Sequence, residues 1–84
     1  MSEKDDAQKE LKKLPIKIGD TFKHYKAKGT YQIVTLAVKE DTLKPLVVYR
    51  SLGHGDTVWV RTYKNFIEEI DVNGNKQKRF TLLT

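Results

Sequence analysis

The sequence predicts a mainly β domain, a small barrel or sandwich of five or six antiparallel strands. Short runs of β-branched and aromatic residues follow one another from residue 16 onward, at a spacing of roughly 8 to 12 residues. An Asn73-Gly74 pair separates the last two runs, and this dipeptide favours a hairpin turn with positive φ at both residues. With 84 residues, the chain has room for a single hydrophobic core.

The N-terminal segment, residues 1–15, differs in composition from the predicted β domain, residues 16–84. The segment carries four Lys and four acidic residues and is neutral, whereas the β domain carries 12 basic and 7 acidic residues and therefore the whole net charge of +5. A basic domain attracts nucleic acid, nucleotides and other anions, although a charge of this size also serves solubility alone.

Helical spacing characterises the N-terminal segment. Its apolar residues at this spacing are Ala7, Leu11 and Leu14. Ser2 or Asp5 is available as the N-cap, and Pro15 ends the pattern. The segment is expected either to form a short helix that docks through Leu11 and Leu14 or to remain a disordered tail.

The strands of the β domain follow from period-2 alternation and β propensity. The predicted strands are Thr21–Lys26, Thr30–Lys39, Leu46–Leu52, Thr57–Thr62, Glu68–Val72 and Lys76–Leu83. The second strand is apolar on both faces, which is typical of a strand that curves across a closed barrel. Tyr63–Ile67 breaks the alternation after the fourth strand and predicts one helical turn.

The fourth strand alternates strictly. Trp59 and Arg61 fall on one face, Val58 and Val60 on the other, and the valines are predicted to face the core. Trp59 is either a core ring or an exposed stacking platform. Arg61→Ala is expected to have a modest effect on stability and a severe effect on binding.

The composition also bears on location. The absence of cysteine leaves neither a disulfide framework nor a thiolate metal site and suits a reducing cytosol. The longest apolar run falls far short of the roughly 18 residues that a membrane span needs, and the charged start does not resemble a signal peptide. A cytoplasmic location without membrane contact is expected.

Three motifs stand in a specific order and spacing: His24-Tyr25-Lys26, Val47-Val48-Tyr49 and Trp59-Val60-Arg61. The further matching positions are Gly19, Phe22, Tyr31, Val34, Ala37, Thr42, Arg50, Leu52, Phe66, Gly74 and Arg79-Phe80. Together they resemble the small bacterial and phage domains grouped as domain of unknown function 1653, over about residues 17–82. The resemblance implies an SH3-like barrel and no established biochemical activity. The chain departs from the family pattern at Lys39, Asp41, Gly53, Thr62 and Asn65.

Aromatic and cationic side chains mark the candidate ligand-binding positions. They are His24, Tyr25, Lys26, Tyr49, Arg50, Trp59, Arg61 and Arg79. Aromatic rings stack on bases and cations neutralise phosphates, so this set favours a non-catalytic module that binds nucleic acid or a nucleotide. The alternative is a protein-interaction module with a peptide in an aromatic groove. Equally open is a structural reading in which the rings fill the core and the cations line a solvated rim.

His24 also suggests a minor alternative, a small hydrolase or transferase. Acid–base catalysis needs a group with a pKa near the working pH and a partner that orients it. The structural alternative is that His24 packs beside Phe22 and donates a hydrogen bond to a backbone carbonyl. No nucleophile, phosphate-loop or paired-carboxylate motif accompanies this histidine, and no catalytic residue, metal or other cofactor is expected.

Overall fold

A computed structural model describes residues 3–26, 29–53 and 55–83, with the backbone alone for residues 3–5. Its elements are α1 (Glu3–Lys13), β1 (Thr21–His24), β2 (Thr30–Val38), β3 (Pro45–Leu52), β4 (Val58–Thr62), α2 (Tyr63–Phe66), β5 (Glu69–Val72), β6 (Asn75–Lys78) and β7 (Phe80–Leu82). The mainly β, antiparallel fold with a short N-terminal helix is confirmed. No helix among the described residues is long and apolar enough to cross a membrane.

Five strands form one antiparallel sheet in the order β4-β3-β2-β1-β7, and β5 and β6 form a separate hairpin. The prediction of one continuous last strand is wrong, because the chain changes partner at Arg79. The Arg79 N–H still donates to the Glu68 carbonyl at 3.1 Å, while the Arg79 carbonyl accepts the Tyr25 N–H at 3.0 Å. From Phe80 onward the chain pairs with β1, so seven strands are described.

The hairpin turn between β5 and β6 has the predicted backbone. Asn73 and Gly74 have φ angles of 54° and 83°, and both residues are exposed. Positive φ at both central residues matches the right-handed twist of the flanking strands, and the Asn-Gly signal is confirmed.

Aromatic rings build most of the core. The buried residues are Ile16, Phe22, Ile33, Val47, Tyr49, Phe66 and Phe80. The Phe66 and Phe80 rings stack with centroids 4.1 Å apart and an interplanar angle of 9°, and Tyr49 meets both edge-on. Such contacts add about 0.5 to 1.5 kcal/mol per pair beyond the buried area. The one-turn helix α2 therefore contributes a central core residue, Phe66.

The N-terminal segment forms α1, which lies against the sheet. Leu14 packs on the core, and Leu11 lines a depression together with Ile16 and Leu36. Asp5 lies within α1 rather than at its cap, because the helix begins at Glu3. The alternative cap, Ser2, lies outside the described residues.

The valines of β4 do not face the core. Val58 and Val60 are 58% and 59% exposed, so the predicted orientation is wrong. β4 is an edge strand, and the residues that lie directly opposite the core side chains Tyr49 and Val47 of β3 are Trp59 and Arg61. Opposite residues of an antiparallel pair share a face, which directs Arg61 inward and the valines to solvent.

Candidate functional site

An open cleft lies between the end of β1 and the β5–β6 hairpin, and we call it the β1–hairpin cleft. Lys23–Lys26 form one wall; Asp71–Asn73, Gln77 and Lys78 form the other. It consists of two depressions of about 220 Å³ and about 610 Å³ that share Tyr25 and Gln77. The change of partner at Arg79 creates this cleft, since it lets the hairpin stand beside β1 instead of joining the sheet.

Positive charge dominates the β1–hairpin cleft. Lys23, Lys26 and Lys78 line it against a single carboxylate, Asp71, and all three lysines are exposed. Tyr25 is 39% exposed, and its ring lies 4.7 Å from the His24 ring at an angle of 40°. The cleft therefore combines an accessible aromatic ring with cations on both sides.

His24 forms the inner part of this wall, and its surroundings favour the neutral ring. Its Nδ1 accepts the Lys26 N–H at 3.2 Å, and its ring packs edge-on against Phe80 at 5.0 Å. Burial lowers the pKa of His24 below its usual 6.5, and the charges of Arg61, Arg79 and Lys26 lower it further. His24 thus accepts a backbone hydrogen bond at Nδ1, and donation by its other ring nitrogen to a backbone carbonyl stays a prediction.

Asn65 accepts hydrogen bonds from both arginines that lower the pKa of His24. Arg61 donates through Nε to the Tyr49 hydroxyl at 2.9 Å and through Nη1 to Asn65 Oδ1, with its guanidinium carbon 5.8 Å from the Phe80 ring centre. Arg79 donates through Nε to the Asn65 carbonyl at 3.1 Å. The Arg61 guanidinium thus links β4 to β3 and α2, and the Arg79 guanidinium links α2 to the segment between β6 and β7.

The two arginines differ in how their charge is neutralised. Arg79 Nη2 lies 3.8 Å from Glu68 Oε2, and 18% of the Arg79 side chain is exposed. No carboxylate lies within ion-pair distance of Arg61 in the part of the chain that the structure describes. Arg61 therefore contributes an uncompensated, half-buried charge behind His24.

The structure does not gather the predicted site residues on one surface. His24, Tyr25 and Lys26 line the β1–hairpin cleft, and Tyr49, Arg61 and Arg79 form the hydrogen-bonded layer behind it. Arg50 lies on the opposite sheet face from its neighbour Tyr49 and donates through Nη2 to Gln32 Oε1 at 2.9 Å.

Trp59 lies apart from the cleft, on edge strand β4. It is 50% exposed, and its Nε1 donates to the buried Ser51 Oγ at 3.2 Å. The indole is thus anchored at one end and open to solvent at the other. Trp59 and β1 are separated by β2 and β3, roughly 14 Å at the usual strand spacing.

Gln77 and Lys78 of β6 line the cleft but are not among the predicted site residues, and the same holds for Lys23 and for Asp71–Asn73. Strand β6 is exposed at every position, so it has no apolar face to bury. A fully polar strand beside an Asn-Gly turn is the sequence signal that marks it as a surface wall. Across the described residues, no three His, Cys, Asp or Glu side chains are grouped so as to hold a metal ion.

The fold and the cleft define a small, basic, mainly β domain with an open cationic surface. The profile of the family described as "Protein of unknown function (DUF1653)" matches residues 20–82, and the chain belongs to this family. A crystal structure of a DUF1653 protein from Bordetella bronchiseptica is similar with a TM-score of 0.67 and 25% identity, over 82% of this chain and 88% of that one. A search of curated proteins gives no match.

Proposed function

We propose that this domain is a non-catalytic module that binds a phosphate-bearing base, as a nucleotide or as part of a single-stranded nucleic acid, in the β1–hairpin cleft. The observation that carries the proposal is the exposed Tyr25 ring between Lys26 on one wall and Lys78 on the other. Base stacking on an aromatic side chain contributes about 1 to 3 kcal/mol, and lysines neutralise phosphates without demanding a sequence.

In this proposal the walls of the cleft have separate roles. Tyr25 supplies the stacking face, and the neutral His24 ring behind it supports that face without adding charge. Lys23, Lys26 and Lys78 take the phosphates, while the Gln77 amide offers both a donor and an acceptor to a base edge.

The SH3-like barrel implied by the family resemblance is part of the same proposal. The five-stranded antiparallel sheet, with the one-turn helix α2 packing Phe66 into its core, supports it. Barrels of this type carry many unrelated ligands, so the proposal depends on the cleft residues and not on the fold.

The peptide-binding alternative has less support from the geometry. An aromatic groove requires exposed rings side by side, whereas Tyr25 and Trp59 are separated by two strands of the sheet. We therefore argue for the phosphate-bearing base, and binding of a protein partner that survives both nuclease treatment and high salt would favour the peptide instead.

Fluorescence anisotropy with labelled single-stranded DNA and RNA of mixed sequence, alongside a labelled mononucleotide, tests the proposal. Tyr25→Ala should weaken binding by about 10- to 100-fold, in proportion to a lost stack. The affinity should fall with salt, and Lys26→Ala or Lys78→Ala should each reduce the slope of log affinity against log salt by about 0.7.

Lys39→Ala is the matched control, since Lys39 is exposed and lies outside the cleft. It should leave both affinity and slope unchanged. Comparing mononucleotide with oligonucleotide separates a nucleotide site from a nucleic-acid site. The proposal is contradicted if the protein does not bind at low salt, or if Tyr25→Ala and Lys39→Ala reduce the affinity equally.

A further inference from the structure

Edge strand β4 leaves a row of backbone groups without partners in the described structure. The Ser51 N–H donates to the Thr57 carbonyl at 3.0 Å, which makes these two residues a hydrogen-bonded pair of the β3–β4 ladder. Such pairs alternate along an antiparallel ladder, so Trp59 and Arg61 also direct their backbone groups toward β3.

It follows that Val58 and Val60 direct their N–H and C=O groups away from the sheet. The Thr62 N–H also points outward, whereas the Thr62 carbonyl serves the first turn of α2, which Thr62 caps. The side chains along this edge are also apolar and accessible. Val58, Trp59 and Val60 are 58%, 50% and 59% exposed. An edge with open hydrogen-bonding groups and exposed apolar side chains is a template for another strand, and folded proteins ordinarily protect it.

We propose that β4 pairs with β4 of a second copy of this chain, antiparallel, about a twofold axis at Val60. The five-residue strand Val58–Thr62 is centred on Val60, so this register overlaps it completely. The N–H and C=O groups of the two Val60 residues then face each other, and the Val58 carbonyl of each copy faces the Thr62 N–H of the other. A register displaced by a single residue would set outward groups against inward ones and lose the ladder.

The side chains are complementary in the same register. Trp59 lies opposite Arg61 of the second copy, where cross-strand side chains approach closely. The face of a guanidinium stacks on an indole while its edge donates hydrogen bonds, so Arg61 keeps its bonds to Tyr49 and Asn65. Trp59 thereby gains a partner for its exposed half.

Charge complementarity identifies the occupant as a second copy. Asp56 and Lys64, both exposed, flank β4 four positions before and four positions after Val60. Antiparallel pairing about Val60 brings Asp56, in the turn before β4, to the same end of the paired strands as Lys64 of the second copy, in the first turn of α2. Centring the pair on Trp59 instead would shift the copies by two residues and move these two charges apart along the strands. The stretch is thus self-complementary at its ends, along its apolar edge and at its tryptophan.

The dimer is expected to be weak and concentration-dependent. A single short strand pair buries less than the roughly 1,200 to 2,000 Å² of stable interfaces. Sedimentation velocity from about 10 µM to about 1 mM covers the range in which such a contact forms. The 9.7 kDa species should give way to one of twice that mass as concentration rises. Because Trp59 is the only tryptophan, its emission should shift to shorter wavelength in parallel.

Two variants test the location of the contact. Val60→Lys puts a charge at the twofold axis on an exposed side chain, so folding is retained while association should weaken at least about tenfold. Lys64→Glu puts like charges at the same end of the paired strands and should also weaken association. Lys17→Glu makes the same change in net charge at an exposed position outside β4 and should not.

A chain that remains monomeric at about 1 mM would overturn the proposal and leave the edge for a strand of another protein. Dimers that form equally in Val60→Lys, or without any change in Trp59 emission, place the interface elsewhere and overturn it too. Thermal melting of each variant confirms that the comparison concerns folded protein.

Discussion

Replacing Arg61 by methionine separates a structural guanidinium from a ligand-binding one. Met keeps the apolar stem but removes the donors to the Tyr49 hydroxyl and Asn65 Oδ1, and the contact with the Phe80 ring. A hydrogen bond to a charged group contributes about 1.5 to 3 kcal/mol, and a cation–π contact about 0.5 to 1 kcal/mol. Arg61 is half-buried, so in the Met variant water can bond to some of the groups that Arg61 served. We therefore expect the unfolding free energy to decrease by about 2 to 4 kcal/mol.

The assay is urea and thermal unfolding monitored by circular dichroism. For a domain of this size, a loss of 1 kcal/mol lowers Tm by about 4 to 8 °C, so Arg61→Met should melt about 8 to 32 °C lower. Arg61→Lys should recover little, because an ammonium does not reproduce the fork that serves two acceptors. Arg50→Met is the control: it loses one bond to Gln32 on the outer face and should cost less than about 1 kcal/mol.

An Arg61→Met protein within about 0.5 kcal/mol of the parent would refute this reasoning, since surface changes fall in that range. The expectation reverses the one drawn from sequence, in which Arg61→Ala affects binding more than stability. The reversal follows from the hydrogen bonds to Tyr49 and Asn65, which the alternating pattern does not reveal.

Three further outcomes follow. Phe80→Ala should cost about 3 to 5 kcal/mol and unfold much of the population at 37 °C, visible as a lost thermal transition, because the ring is buried and stacked on Phe66. Gly74→Ala should cost about 1 kcal/mol in urea unfolding, since alanine is strained at a φ of 83°. As the pH is lowered from about 7.5 to about 5.5, the unfolding free energy of the parent protein should decrease, and His24→Asn should make this decrease smaller.

The sign of the pH effect follows from linkage. The folded pKa of His24 lies below the unfolded value, so the unfolded chain binds more protons as the pH falls through 6.5 and stability is lost there. Asn keeps an acceptor for the Lys26 N–H without titrating. His54→Asn removes the other histidine of the sequence and should preserve the slope of unfolding free energy against pH. The prediction is contradicted if the His24→Asn protein shows the same slope as the parent. A Phe80→Ala protein that melts like the parent would contradict the packing argument. A Gly74→Ala protein as stable as the parent would contradict the argument from the positive φ.

Local signals in the sequence predict most of the elements. Asn73-Gly74 predicts its hairpin because the turn is decided by the φ preferences of two adjacent residues. The single turn of α2 is likewise local: the Thr62 hydroxyl caps it by accepting the Asn65 N–H at 3.2 Å. These features depend on neighbours in the chain and need no knowledge of the tertiary fold.

Features that depend on distant partners are not predicted. The face of β4 that turns inward is decided by its edge position and by its pairing with β3, so alternation alone assigns the wrong face to Val58 and Val60. The break at Arg79 likewise depends on competition between β5 and β1 for the same stretch of chain. The cleft exists because of that break, which is why Lys78 enters the site only in three dimensions.

The two proposed surfaces lie at different places on the sheet, and their coupling can be tested. The β1–hairpin cleft adjoins β1 and β7, whereas the proposed dimer contact is β4, the opposite edge. Dimerisation would leave the clefts of both copies open. A single-stranded nucleic acid long enough to reach both clefts would then bind the second cleft at a high effective local concentration, which a mononucleotide does not experience. Val60→Lys should therefore weaken the binding of a long oligonucleotide and leave the binding of a mononucleotide unchanged. Tyr25→Ala should weaken the binding of both ligands. Equal weakening of both ligands by Val60→Lys would mean that the edge and the cleft are coupled through the fold itself.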